Sequence, residues 1–298
     1  MPPEKTSILV IGLGYVGEPL AKRLHDAGHE IVGITKTPDH ATNLDAANDY
    51  AALPCDLANR WEIAHLATKI TAPANIILCA SSGRGGADAY RSVFFEATQS
   101  LHHFFPNSRI LFTSSSSVYP QTDGSIVTED SPAMPERETS RILRETEDLI
   151  LSRNGTVARL AGIYGPSRSV HLKKFLEGTA TIEEDETHPT RYLNQIHRND
   201  IVSALSLLVQ TPNATGQIYN VTDDTPLTQR ACYEFLAAHF NKPLPPVAPA
   251  DTKRKRAWTH KQITNFKLRS LGWSPQYPSF PDAIQNDPDL VPSIESKT

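Results

Sequence analysis

An alternating α/β fold is what this sequence predicts, and three observations predict it. The apolar run Ile8–Ile11 enters Gly12-Leu-Gly14-Tyr15-Val16-Gly17, which opens an amphipathic segment with Val16, Leu20, Ala21, Leu24 and Ala27 at helical spacing. After Gly28, a second apolar run, Ile31–Ile34, completes strand, glycine turn, helix and strand. Further short apolar runs, Asn75–Ala80 and Arg109–Ser115, are separated by helical stretches such as Tyr90–Phe105. That alternation specifies a doubly wound parallel sheet of the Rossmann type.

The glycines carry the first functional expectation. In such a unit Gly12 permits the tight turn, Gly14 lets a pyrophosphate approach the backbone, and Gly17 lets the helix pack close to the sheet. The pyrophosphate then meets the free N–H groups and the positive end of the helix dipole. Gly12, Gly14, Tyr15, Val16 and Gly17 are therefore the candidate dinucleotide-binding residues. The competing reading is a glycine-rich turn without a ligand. A strand before the motif and a helix after it weigh against that.

The end of the second strand bears on cofactor type. A carboxylate about twenty residues past the glycines binds a ribose 2′-OH and favours NAD. Here the chain reads Thr35-Lys36-Thr37. A lysine and two hydroxyls suit a 2′-phosphate, so NADP is expected, with NAD as the alternative; Lys36 as a solvated loop residue is the bland reading. Asp56-Leu57 follows a third apolar stretch. It either receives the adenine amino group or caps the segment Ala58–Ile70. Cys79, Ala80 and Ser81 leave the next strand beside the expected cofactor crevice, and Ser81-Ser-Gly-Arg84-Gly-Gly86 makes a flexible loop in which Arg84 is a candidate for an anionic group.

Composition narrows the classes. With 298 residues and 39% hydrophobic content the chain can bury a sizeable core, and its net charge of −4 argues against general nucleic-acid binding. The basic run Lys253–Arg256 with Trp258 is one short stretch in a mildly acidic chain and reads as solvated. Cys55, Cys79 and Cys232 form no disulfide framework, no apolar run approaches a membrane span, and Met1–Lys5 lacks a signal-peptide core; a cytoplasmic protein is expected. His25 and His29 are split by Gly28 and lack an HExxH glutamate, so no metal site is expected.

From Arg109 onward a family resemblance becomes specific. The carrying residues are the glycine motif, Asp56-Leu57, Thr113-Ser-Ser115-Ser-Ser-Val-Tyr119, Arg159-Leu-Ala-Gly-Ile-Tyr164-Gly-Pro166, Ile196-His-Arg-Asn-Asp200 and Tyr219-Asn-Val-Thr-Asp-Asp224. Together they resemble the extended short-chain dehydrogenase/reductases, in the NAD-dependent epimerase/dehydratase group and close to its atypical branch. Ser81-Ser-Gly-Arg-Gly-Gly86, Asn194-Gln-Ile-His-Arg198 and Leu271-Gly-Trp273 resemble that branch in particular.

The resemblance implies a catalytic serine at Ser115 and a Tyr-x-x-x-Lys pair at the start of the next long helix. Counting back from Glu147, which fits the glutamate further along that helix, the tyrosine position holds Thr139 and the lysine position Leu143. A threonine hydroxyl is too weak an acid for proton transfer near neutral pH, and leucine offers no cation. Three readings stay open: Tyr119 or Tyr164 supplies the proton, the substrate needs no strong protein acid, or the site binds cofactor without turnover. Packing roles are the alternative for both tyrosines.

The expected organisation is a cofactor domain of residues 1–165 and 196–222, with 166–195 and 223–298 forming the substrate-binding part. Arg84, Tyr90, Asn194 and His197 are the candidate substrate-binding residues. Asp200 is expected to cap the helix Ile201–Val209. The resulting function is an NADP-dependent oxidoreductase or epimerase-like enzyme taking a small-molecule substrate. The rival is a degenerate NADP(H)-binding sensor. The resemblance also implies a homodimer as an option.

Overall fold

The strand Ser7–Ile11 (β1) forms because four successive apolar residues, Ile8 to Ile11, are buried to 1% exposure or less, as a strand covered on both faces requires. Each such side chain contributes about 1.5–3 kcal/mol relative to staying in water. The structure is a computed structural model, and it describes residues 5–83, 85–187, 190–250 and 259–297.

Six more strands join β1: β2 (Glu30–Thr35), β3 (Ala51–Pro54), β4 (Asn75–Leu78), β5 (Arg109–Ser115), β6 (Thr156–Leu160) and β7 (Ile218–Val221). The sheet order is β7-β6-β5-β4-β1-β2-β3, and every pair from β3 across to β5 is parallel. The expected doubly wound parallel sheet is therefore present. Chain order reverses between β4 and β1, so the crevice beyond the carboxyl ends of these two strands is the switch point where such sheets bind ligands.

Helix α1 (Gly17–Asp26) buries Gly17, Leu20, Ala21 and Leu24, one face at helical spacing. α2 (Pro38–Ala47) starts on a proline and α3 (Arg60–Lys69) is capped by the Asn59 side chain, which accepts from the Trp61 N–H. The cap is thus Asn59, and Asp56 instead accepts from the Ala58 N–H at 3.1 Å. The predicted helix near Tyr90 is built as α4 (Gly86–Tyr90), a wider π-type turn at Arg91–Glu96, and α5 (Ala97–Phe104). α6 (Glu138–Leu151) packs on that π-type turn and on β5.

The chain divides into two compact units. The first comprises Met1–Val118, Ala133–Arg159 and Val202–Tyr219; the second comprises Tyr119–Pro132, Leu160–Ile201 and Asn220–Thr298. The second contains short strand pairs: Gly162–Tyr164 with Gln195–His197, Tyr192–Leu193 with Leu227–Thr228, Ile182–Glu183 with Val247–Ala248, and Ile126–Val127 with Gln262–Ile263. Its core gathers Tyr164, Leu172, Phe175, Tyr233, Leu236 and Phe280. α7 (Val170–Leu176), α8 (Arg198–Gln210) and α9 (Gln229–Phe240) complete the longer helices. Asp200 does not cap α8, which begins two residues earlier. Its carboxylate accepts the backbone N–H groups of Gln276 and Tyr277 at 2.5 and 3.1 Å. Among the described residues, no helix is long and apolar enough to cross a membrane.

Candidate functional site

Each glycine of the turn meets a different surrounding. Gly12 has φ +100°, a left-handed conformation that disfavours side chains, and a Cβ there would lie 2.6 Å from the Ala80 Cα. The turn after β1 is therefore pressed against Cys79 and Ala80 at the end of β4. A Cβ on Gly17 would lie 2.1 Å from the Gly12 carbonyl oxygen. By contrast, a Cβ on Gly14 would meet nothing within 4 Å. Contact at the first and third glycines with open space at the second is the arrangement a pyrophosphate needs. The start of α1 carries no side-chain cap, and Glu18 lies in its first turn; a helix N-terminus of this kind attracts an anion through its dipole. On these observations the residues present fit a dinucleotide.

Around that turn the first unit places the other expected cofactor residues. Val16 and Leu57 are buried, Tyr15 and Cys79 half-buried, and Ser81 exposed with its Oγ accepting from the Gly83 N–H. Burial pushes the Cys79 thiol up to about 12, so it is an inert thiol rather than a nucleophile. The Lys36 ammonium lies 2.9 Å from the Asp56 carboxylate, with the lysine side chain 72% exposed. Thr35 Oγ1 is 2.9 Å from His40 Nδ1. Lys36 and Asp56 are thus charged groups beside the end of β2, and the His40 imidazole lies against Thr35. His40 was not among the sequence expectations; its position in the first turn after Thr35-Lys36-Thr37-Pro38 is the signal that could have found it.

The hydroxyl-rich end of β5 sorts its serines by the alternation of a strand. Ser114 Oγ donates to Glu147 on α6 at 2.5 Å. Glu147 is fully buried and also receives Arg159 through Nε and Nη2, and Arg144 at 2.8 Å. Ser115 stays outside this network. It is half-buried, and its Oγ accepts the Ser117 N–H at 3.2 Å. Ser117 Oγ in turn accepts from Ser140 Oγ, in the first turn of α6, at 3.1 Å. Thr139 is half-buried, and Leu143 is 4% exposed in the core, where an ammonium would lie in apolar surroundings.

The two tyrosines expected as proton donors are placed otherwise. Tyr119 is fully buried in the second unit, its hydroxyl donating to Asn220 Oδ1 at 2.8 Å. Tyr164 is 2% exposed, its hydroxyl 3.5 Å from the Ser279 carbonyl and its ring packed edge-on against His197 and Phe280. Burial, then Asp223 and Asp200, hold the Tyr164 hydroxyl well above the ordinary tyrosine range. In this arrangement the Tyr119 hydroxyl is bonded to Asn220 and the Tyr164 hydroxyl faces the Ser279 carbonyl, the packing alternative for each.

The expected substrate residues divide as well. His197 is fully buried, with Nε2 2.9 Å from Asp287 and Nδ1 accepting the Asn199 N–H. Burial lowers it to about 4 despite Asp287, so it is a neutral structural histidine. Asn194 spends its side chain on backbone: Nδ2 donates to the Lys261 carbonyl at 2.9 Å, and Oδ1 accepts the Ile263 N–H at 2.7 Å. In this arrangement the polar atoms of both side chains are bonded within the second unit. Tyr90 is half-buried and packs edge-on against Phe94 at 5.2 Å. Arg84 and the run Lys253–Arg256 with Trp258 lie outside the described residues.

Known proteins resemble the chain over most of its length. Protein YeeZ of Escherichia coli strain K12 is 33% identical over 225 residues, covering 72% of this chain and 76% of that protein. The ADP-L-glycero-D-manno-heptose-6-epimerase of Helicobacter pylori superposes with a TM-score of 0.78 at 16% identity, covering 98% of this chain and 97% of that one. The UDP-glucuronic acid 4-epimerase of Bacillus cereus, solved with UDP-glucuronic acid and NAD, gives 0.75 at 19% identity, covering 98% and 99%. At such identities these structures establish the shared fold. The family model described as "NAD dependent epimerase/dehydratase family" matches residues 8–222, and the chain belongs to that family.

Proposed function

We propose that the chain is an NADP-dependent oxidoreductase or epimerase-like enzyme that works without the Tyr-x-x-x-Lys pair. The observation that carries the reading is the glycine turn: Gly12 and Gly17 in contact, Gly14 open, and an uncapped helix start beyond it. The bound cofactor supplies hydride chemistry at its nicotinamide. The chain's own part is to seat the pyrophosphate on the first turn of α1 and to hold the 2′-phosphate with Lys36. Lys36 would exchange its Asp56 partner for the phosphate, a surface exchange that costs about 1 kcal/mol or less.

Ser115 is the proposed hydrogen-bonding residue for the reacting oxygen or nitrogen, because Ser114 is spent on Glu147. The hydroxyl series Ser115, Ser117 and Ser140 replaces the tyrosine as the polar lining there. Such a site favours a substrate that needs no strong protein acid, such as an imine or an activated carbonyl. Residues 166–195 and 223–298 are assigned to shaping the small-molecule pocket. A homodimer through α4–α5 and α6 belongs to the same reading.

Fluorescence titration tests the cofactor: NADPH is expected to bind at least about tenfold tighter than NADH. A screen of carbonyls, imines and nucleotide sugars for NADPH oxidation tests turnover, and Ser115→Ala should slow an observed rate by about 10- to 100-fold. The buried Leu143 favours a second reading, an NADP(H)-binding sensor. Tight binding with no turnover across the screen would decide for it.

A further inference from the structure

Among the described residues, one lysine is interior to the second unit. Lys261 is 3% exposed, and its ammonium donates to the Tyr119 carbonyl at 2.5 Å. No carboxylate among the described residues pairs with it, and burial alone pulls the amine down to about 8. An ammonium has three N–H groups, and one is spent. A carbonyl acceptor would be served equally well by a neutral amide or hydroxyl. Burying a charge to make that single bond is unfavourable unless something else uses the charge.

The backbone that carries this side chain is also held in place. Asn194 takes the Lys261 carbonyl and the Ile263 N–H. The Gln262 N–H donates to the Ser125 carbonyl and the Thr264 N–H to the Val127 carbonyl, zipping this segment to 125–127. Tyr119, the acceptor, is fixed at its far end by Asn220. There a second donor is unspent: Nδ2 of the fully buried Asn220 has no acceptor. Both ends of Tyr119 therefore carry donors waiting for oxygen. In the chain, Tyr119 follows Ser115 by four residues.

We propose that Lys261 is an oxyanion-binding residue, whose free N–H groups take a carboxylate or phosphate oxygen of the substrate. That the anion belongs to a substrate rests on the functional reading above; that Lys261 binds an oxyanion does not. On this account Asn194 is a positioning residue for Lys261. The signal missed in the sequence is Lys261 itself, a lysine directly before the alternating Gln262-Ile263.

Thermal unfolding of the NADPH-saturated protein tests this in phosphate, acetate and chloride at matched ionic strength. Phosphate or acetate should raise the wild-type midpoint several degrees above chloride, and the stronger of the two names the anion. Lys261→Arg should keep at least half of that rise. Lys261→Gln, which retains a donor for the Tyr119 carbonyl, should lose at least three quarters of it while melting in chloride no lower than the wild type. A wild-type midpoint indifferent to the anion, or a Lys261→Gln variant that keeps the rise, overturns the proposal. So does a Lys261→Gln chain that fails to fold, because the ammonium is then a structural tie. If NADPH does not bind at all, the dinucleotide reading fails on its own titration, and the same comparison is run on the protein without it.

Discussion

Buried ionisable groups are held differently around Glu147 in the first unit and around Asp223 and Lys261 in the second. In the first, Glu147 is fully buried, but Arg159 and Arg144 neutralise it and Ser114 takes a further bond. In the second, Asp223 is 2% exposed with Oδ1 unpartnered, and burial together with Asp224, Asp200 and Asp282 holds its carboxyl well above the usual range. Lys261 is buried there without a counter-charge among the described residues. A satisfied network fixes β5, β6 and α6 in one geometry, as a platform for a rigid cofactor requires. Unspent donors and one unpartnered carboxyl oxygen leave the second unit chemistry to offer a ligand.

The largest way to break this comparison is Glu147→Gln. It strands Arg159 without its counter-charge and should cost about 3–5 kcal/mol in urea unfolding. A loss under about 1 kcal/mol would mean that the network does not support the platform. Next is Gly17→Ala, whose methyl group would meet the Gly12 carbonyl. Overpacking of that kind costs about 1–3 kcal/mol. NADPH affinity should drop at least about tenfold, and an unchanged titration would remove the glycine turn from the cofactor site.

Smaller effects sharpen the contrast. Lys36→Ala should lower the NADPH/NADH affinity ratio by about 5- to 10-fold, the worth of one exposed charge on a phosphate. An unchanged ratio would sink the NADP assignment. Asp223→Asn tests the second unit through pH. The folded carboxyl is raised above its unfolded value of about 3.9. Its stabilising contribution is therefore present at acid pH and lost as pH rises towards the folded value. The amide cannot titrate, so the variant should gain on the wild type as pH rises above about 3.9. Parallel stability curves would show that Asp223 is not the titrating group.

His197 carries the opposite sign. Its folded value, lowered to about 4, lies below the unfolded value of about 6.5. Stability is thus lost as pH falls from about 6.5 towards 4, an expectation that His197→Gln should flatten and acid unfolding can measure.

Much of the first unit was legible because its information is local. Glycines, apolar runs and helical spacing act within a dozen residues, so β1, α1, β2 and the open Gly14 could be read in order. Ser115 stood out by its motif, and Thr139 and Leu143 by counting along one helix. The second unit was read less well because its contacts are long-range. Asn194, His197, Tyr119 and Tyr164 carry functional-looking side chains, yet their partners lie 67 to 115 residues away. Except for the Asn199 N–H on His197 Nδ1, nothing beside them in the sequence says that their polar atoms are already taken.

The sequence by itself thus determined the parallel sheet, the glycine turn and the absence of a Tyr-x-x-x-Lys pair at the start of α6. These depend on residue type and short spacing. Only the tertiary structure decided which hydroxyls and amides are spent, that Ser114 and not Ser115 serves Glu147, and that Lys261 is buried with donors left over. Whether a polar group is satisfied depends on what the fold brings within about 3 Å of it, and no local pattern encodes that distance.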